Sequence, residues 1–124
     1  MNQKLTFITG ALFGMLSVGL GAFGAHALKN LLTQHGRTET YELAVKYQFY
    51  HGITLLVLGL LMEKFHNNLM AWSSLSMTLG ILFFSGSLYL FALTNQKMFA
   101  MITPIGGLFL LAGWAIMLLA IVKN

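Results

Sequence analysis

The residues able to do chemistry in this chain are few, and most fall inside apolar stretches. His51 follows Tyr47 and Gln48 at spacings of i,i+4 and i,i+3, so on a helix a phenol, an amide and an imidazole share one face. His26 ends an earlier apolar stretch. Ser85, Gly86 and Ser87 interrupt a later one, "FFSGSLYL" at 83–90, with Tyr89 two residues on. Thr103 stands directly before Pro104, the only proline. An imidazole is the side chain suited to moving a proton near neutral pH. In a bilayer it also serves as plain interhelical glue, where such hydrogen bonds average about 0.6 kcal/mol. Ionisable groups at membrane depth are costly and face the interior, which marks His26 and His51 as candidates.

Most catalytic chemistries are incomplete here. The chain has no aspartate, and Glu39 and Glu42 precede the apolar part of their segment, so no Ser-His-acid set forms within a bilayer. Two histidines fall short of the three or four protein ligands zinc takes, so no metal site is expected. There is no cysteine, which removes thiolate ligands and thiol nucleophiles. "GLGAFG" at 19–24 spells GxGxxG, but no strand precedes it, and the dinucleotide reading fails without that context. No cofactor is expected.

The elements that must position these residues follow from composition. The 124 residues are 57% hydrophobic and 8% charged, where soluble domains carry about 25% charged residues. Mean hydropathy is +0.77. A formal charge of +4 with no basic run fits contact with anionic headgroups and argues against nucleic acid. Four apolar segments, 5–28, 47–62, 69–93 and 104–122, are long enough or nearly so to cross a hydrocarbon core, which takes about 20 helical residues. Backbone polar groups must be satisfied internally in lipid, so these segments are helices. Glu39 and Glu42 suit a helix start, which places the beginning of the second helix near 39. Residues 29–37, with Gly36, read as a turn or short interfacial helix. Thr103 is placed to cap the fourth helix, with Pro104 in its first turn. Short joints make neighbours antiparallel. The expected fold is all-α, an integral membrane four-helix bundle of up-down topology, with 1–124 as one transmembrane domain.

Span direction gives each polar residue a depth. His26 lies late in span one, Tyr47, Gln48 and His51 early in span two, Ser85, Ser87 and Tyr89 late in span three, and Thr103 at the start of span four. All fall in the half of the membrane nearest the first and third loops. The opposite half is Leu-, Ile-, Met- and Phe-rich, relieved only by hydroxyls. Ser85 and Ser87 lie about 200° apart around a helix, so they cannot both face one neighbour. Small residues form stripes: Gly10, Gly14, Ser17, Gly21 and Gly24 in span one, and Gly106 and Gly113 in span four, with Gly86 and Gly107 beside the polar residues. Lipid offers helices no hydrophobic drive to associate, so close backbone approach at small residues must supply it. Gly14→Leu is accordingly expected to break a helix contact. Trp72 suits an interfacial belt, whereas Trp114 falls near mid-span and must face lipid or fill the bundle.

"GLGAFGAHAL" (19–28), "YQFYHG" (47–52), "LFFSGSLYL" (82–90) and "ITPIGGLFLLAGW" (102–114) resemble the YgdD/YwdK-like family of small four-span membrane proteins of unknown function. The resemblance covers essentially the whole chain. It implies a multipass plasma-membrane protein and brings no activity with it. Family members tend to carry basic tails beside spans one and four, which implies cytoplasmic termini. Lysine and arginine counts alone are nearly balanced between the two sides.

Three functions are compatible with these residues. A non-enzymatic module, its polar half receiving a lipid, a quinone-like molecule or a partner helix, accounts for most of them. A small oligomeric transporter or proton-coupled channel using His51 and His26 is the alternative, although the Leu-rich half offers no continuous polar route. An enzyme using His51 as general base ranks last. The expected partners are membrane lipid and a second copy or another membrane protein.

Overall fold

Each helix is started and stopped by a local device. In a computed structural model, which describes residues 1–123, α1 (Gln3–Ala25) begins where the Asn2 side chain accepts from Leu5 N at 2.8 Å. A short α2 (Lys29–His35) ends at Gly36, whose φ of 65° is the left-handed conformation glycine adopts freely. Helix α3 (Thr38–Lys64) follows at once. Asn67 caps α4 (Asn68–Thr94) by accepting from Leu69 N at 3.0 Å, and Asn95 stops it with φ 56°. One helical turn, α5 (Lys97–Ala100), leads into α6 (Thr103–Lys123). Thr103 does not cap α6. The Ile102 carbonyl accepts from Ile105 N and Gly106 N, and the Thr103 hydroxyl turns to α4 instead. Pro104 sits in the first turn, where its missing N–H is no loss.

The fold is all-α, and α1, α3, α4 and the α5–α6 segment are long and apolar enough to cross a membrane. They alternate up and down, so α2 and α5 lie at one end and the chain termini at the other. Helix α1 packs along α3, α3 along α4, and α4 along α6. Helices α3 and α6 are not packed backbone to backbone, and side chains span the gap between them.

Glycines set the close contacts, although not all those expected. A Cβ on Gly10 would lie 2.8 Å from Gly52 O, so α1 and α3 meet backbone to backbone there. Rings lie on Gly24 (Tyr41) and Gly59 (Phe7). Gly106 lies against the Phe84 backbone, Gly113 against Met77 and Gly80 against Leu110, which draws α6 onto α4. Gly21 is looser, since a Cβ there would lie 3.4 Å from Val45 Cγ1, and Ser17 is buried with its hydroxyl on Phe13 O at 2.7 Å. Gly14 and Gly86 depart from the expectation. A Cβ on either would meet nothing within 4 Å, so neither glycine makes room for a neighbour.

The Leu-rich half is also stitched by hydroxyls. Ser73 donates to Gly113 O at 2.6 Å and Ser76 to Phe109 O at 2.7 Å, both from α4 to α6. Among the described residues, no buried side-chain nitrogen or oxygen lacks a hydrogen-bond partner.

Candidate functional site

Gln48 is the hub of the polar half. Its Nε2 donates to Phe13 O on α1 at 3.1 Å, and its Oε1 accepts from the Tyr89 hydroxyl on α4 at 2.7 Å. One amide thus ties three helices. Ser85 donates to Ala44 O on α3 at 2.7 Å. Ser87 points elsewhere, as the helical angle requires: it donates to Phe84 O at 3.0 Å and lies 2.6 Å from Thr103 Oγ1 on α6. With its single proton given to Phe84, Ser87 accepts from Thr103. Gln48, Ser85 and Ser87 are buried. Each of these groups already has a hydrogen-bond partner in another member of the set or in a carbonyl.

His51 is held at both ring nitrogens. Nδ1 lies 2.8 Å from Tyr47 O, and Nε2 lies 3.0 Å from the indole Nε1 of Trp114 on α6. A carbonyl only accepts and an indole N–H only donates, so the pair selects the neutral tautomer with its proton on Nδ1. A second proton, on Nε2, would face the indole N–H and break the bridge. Tyr47 stacks on Phe84 of α4 (centroids 4.7 Å, 26°) and lies beside His51 (5.9 Å, 29°). The Trp114 ring meets His51 edge-on at 74°.

His26 does not join this group. It is the C-cap residue of α1, exposed at the α2 end. No three His, Asp or Glu side chains converge among the described residues. A proton path through both histidines therefore has no geometric basis.

Between α3 and α6, with Phe84 of α4 as floor, lies a groove of about 470 Å³. Tyr47, Tyr50, His51 and Trp114 supply rings to its walls, and Gly107 leaves its middle open. A second hollow of about 320 Å³ shares Phe84 and Gly107 with it and continues past Leu88 and Thr103 to Ala100 at the α5 end. The groove opens sideways: Tyr50 is 55% exposed and Trp114 44%. The Tyr41 and Tyr89 hydroxyls are spent on Leu20 O and Gln48, whereas those of Tyr47 and Tyr50 have no hydrogen-bond partner among the described residues. Sequence reasoning left Trp114, Tyr50 and Phe84 out of the candidate site. For Trp114 a signal existed, because an indole N–H at mid-span needs an acceptor and His51 stands at the matching depth.

Residues 20–107 match the family described as "Protein of unknown function (DUF423)". The UPF0382 membrane protein SH2409 of Staphylococcus haemolyticus is 44% identical over 121 residues, covering 98% of each chain. The UPF0382 membrane protein SAB0533 of Staphylococcus aureus is 42% identical, also over 98% of each. The UPF0382 inner membrane protein YgdD of Escherichia coli K12 is 37% identical over 99% of this chain and 93% of its own. No solved structure matches.

Proposed function

The chain belongs to the DUF423 family of four-helix membrane proteins, and from that premise we propose that it is a non-enzymatic binding module taking a ring-bearing, carbonyl-containing lipid, of the quinone class, from the bilayer. The observation that carries this is the ring-lined groove between α3 and α6, open to lipid and bordered by two phenol hydroxyls with no hydrogen-bond partner among the described residues. A hydroxyl in an apolar environment gains from an acceptor, and quinone carbonyls are acceptors on a flat ring that stacks between aromatic side chains. Helical side chains lean toward the helix N-terminus, so both hydroxyls sit toward the α2 end, where a ring entering along the second hollow would meet them. The His51–Trp114 bridge closes the groove at its deep end.

Trp114 reports occupancy directly. In a Trp72→Phe background it is the sole tryptophan. In nanodiscs, titration with a short-chain ubiquinone or menaquinone is expected to quench its fluorescence saturably. Gly107→Leu, which fills the groove, should weaken the apparent affinity at least tenfold. Removing both hydroxyls by Tyr47→Phe and Tyr50→Phe should weaken it severalfold. Quenching that rises linearly with quinone and ignores all three substitutions would overturn the proposal in favour of random collision in the bilayer.

The same reading places the protein in the plasma membrane with both termini cytoplasmic. The name of the inner-membrane relative supports the membrane, and the basic tails that the family resemblance implies beside spans one and four support the orientation.

A further inference from the structure

The opposite face of α3 carries a third hollow. It holds about 330 Å³ and lies where the end of α1, α2 and the first turns of α3 diverge. Lys29, Thr33, Glu42 and Lys46 surround its mouth, and Gly21 and Val45 line it deeper down. At roughly 100° per residue, residues 38, 42, 45 and 46 point on average about 150° away from 47, 50 and 51. The hollow therefore shares no lining residue with the ring groove.

Its depth is informative. Counting about 20 helical residues of hydrocarbon back from Met62 puts the membrane boundary near Leu43. Gly21 and Val45 then lie at or just below the boundary, and Lys29 and Thr33 lie in the headgroup layer. Lys46 starts near the boundary with a side chain long enough to reach up to it. All three charged residues are exposed. Two ammonium groups against one carboxylate leave the hollow with a formal charge of +1. Below it, a Cβ on Gly21 would meet only Val45, and one on Gly14, two turns deeper on the same side of α1, would meet nothing. Gly21 and Gly14 thus leave two side-chain-free positions about 10 Å apart on α1 below the charged mouth.

We propose that this hollow is a binding site for an anionic phospholipid, its phosphodiester between Lys29 and Lys46 and one acyl chain running past Gly21 toward Gly14. The single negative charge of a phosphatidylglycerol headgroup complements the net charge of the mouth. Its glycerol hydroxyls can donate to the Glu42 carboxylate. A choline headgroup has no such donors and carries no net charge. An exposed lysine near an anionic lipid surface is ordinarily worth about fivefold in affinity.

Native mass spectrometry of the protein released from detergent, with phosphatidylglycerol or phosphatidylcholine added, tests this. One saturable phosphatidylglycerol adduct is expected, favoured about tenfold or more over phosphatidylcholine. Lys29→Gln and Lys46→Gln should each weaken it about fivefold, while Lys64→Gln at the other end should leave it unchanged. Gly21→Leu should abolish it by bulk with every charge retained. Equal adducts of the two lipids, or indifference to both lysine variants with helicity and melting unaltered, would overturn the site. Displacement of the lipid by millimolar inorganic phosphate would overturn the lipid assignment in favour of a soluble phosphate ligand. None of these variants touches the ring groove, so the two sites fail or survive separately.

Discussion

At the scale of single residues, the polar half is mostly joinery. Gln48, Ser85, Ser87, Tyr89 and Thr103 spend their hydrogen-bonding capacity on each other and on carbonyls. His51 differs because both of its partners constrain its chemistry. Tyr47 O requires a donor and the Trp114 indole requires an acceptor, so nitrogen NMR of histidine-labelled protein in bilayers should find the His51 proton on Nδ1 and Nε2 bare. A proton on Nε2 would refute the bridge. Trp114→Phe should leave the tautomer in place, since the backbone carbonyl still holds Nδ1. It should cost about 1 kcal/mol in steric-trapping or thermal measurements, within the range for interhelical bonds in membranes. Gln48→Leu removes bonds to two helices and strands the buried end of Tyr89, so its cost should exceed that of Trp114→Phe.

At the scale of elements, the helices are held by where backbone meets backbone. Gly106 and Gly14 make a controlled comparison. A Cβ on Gly106 would fall onto the Phe84 backbone, which cannot move aside as a flexible side chain can. Gly106→Ala should therefore pry α6 from α4 and destabilise by about 1–3 kcal/mol, as overpacking does. A Cβ on Gly14 meets nothing, and Gly14→Ala should be neutral or stabilising by up to about 1 kcal/mol through helix propensity. Melting both variants in one detergent checks the contrast, and equal losses would refute it. The four helices and the common depth of the polar residues were legible from apolar length and from the 1.5 Å rise. The rotation of each helix was not. A regular glycine spacing marks a narrow stripe but does not say which of its members faces a neighbour, so Gly14 read like Gly10. Likewise depth put His26 beside His51, but only the packed chain shows His26 outside at the end of α1. Trp114 was hidden for the same reason: its value lies in a contact between helices more than sixty positions apart.

At the scale of the whole molecule, the packing of α1 on α3, α3 on α4 and α4 on α6 leaves a hollow on each side of α3, and both reach toward the end that carries α2 and α5. Which leaflet supplies their ligands is then a question of orientation. The charges beside the spans are close to balanced: Lys4, Lys64, Lys123 and the terminal amine at one end, and Lys29, Arg37, Lys46 and Lys97 at the other. Folded partners do not settle the matter. Arg37 bonds Asn95 at 3.0 Å and covers the Phe91 ring, but orientation is chosen while the chain inserts, before such contacts exist. The chain has no cysteine, so single cysteines can be read without background. His66→Cys lies in the exposed joint between α3 and α4, and Gln96→Cys is exposed between α4 and α5. With cytoplasmic termini, a membrane-impermeant maleimide should label Gln96→Cys in intact spheroplasts and reach His66→Cys only after lysis. The reverse pattern would overturn the orientation and turn both hollows toward the cytoplasmic leaflet.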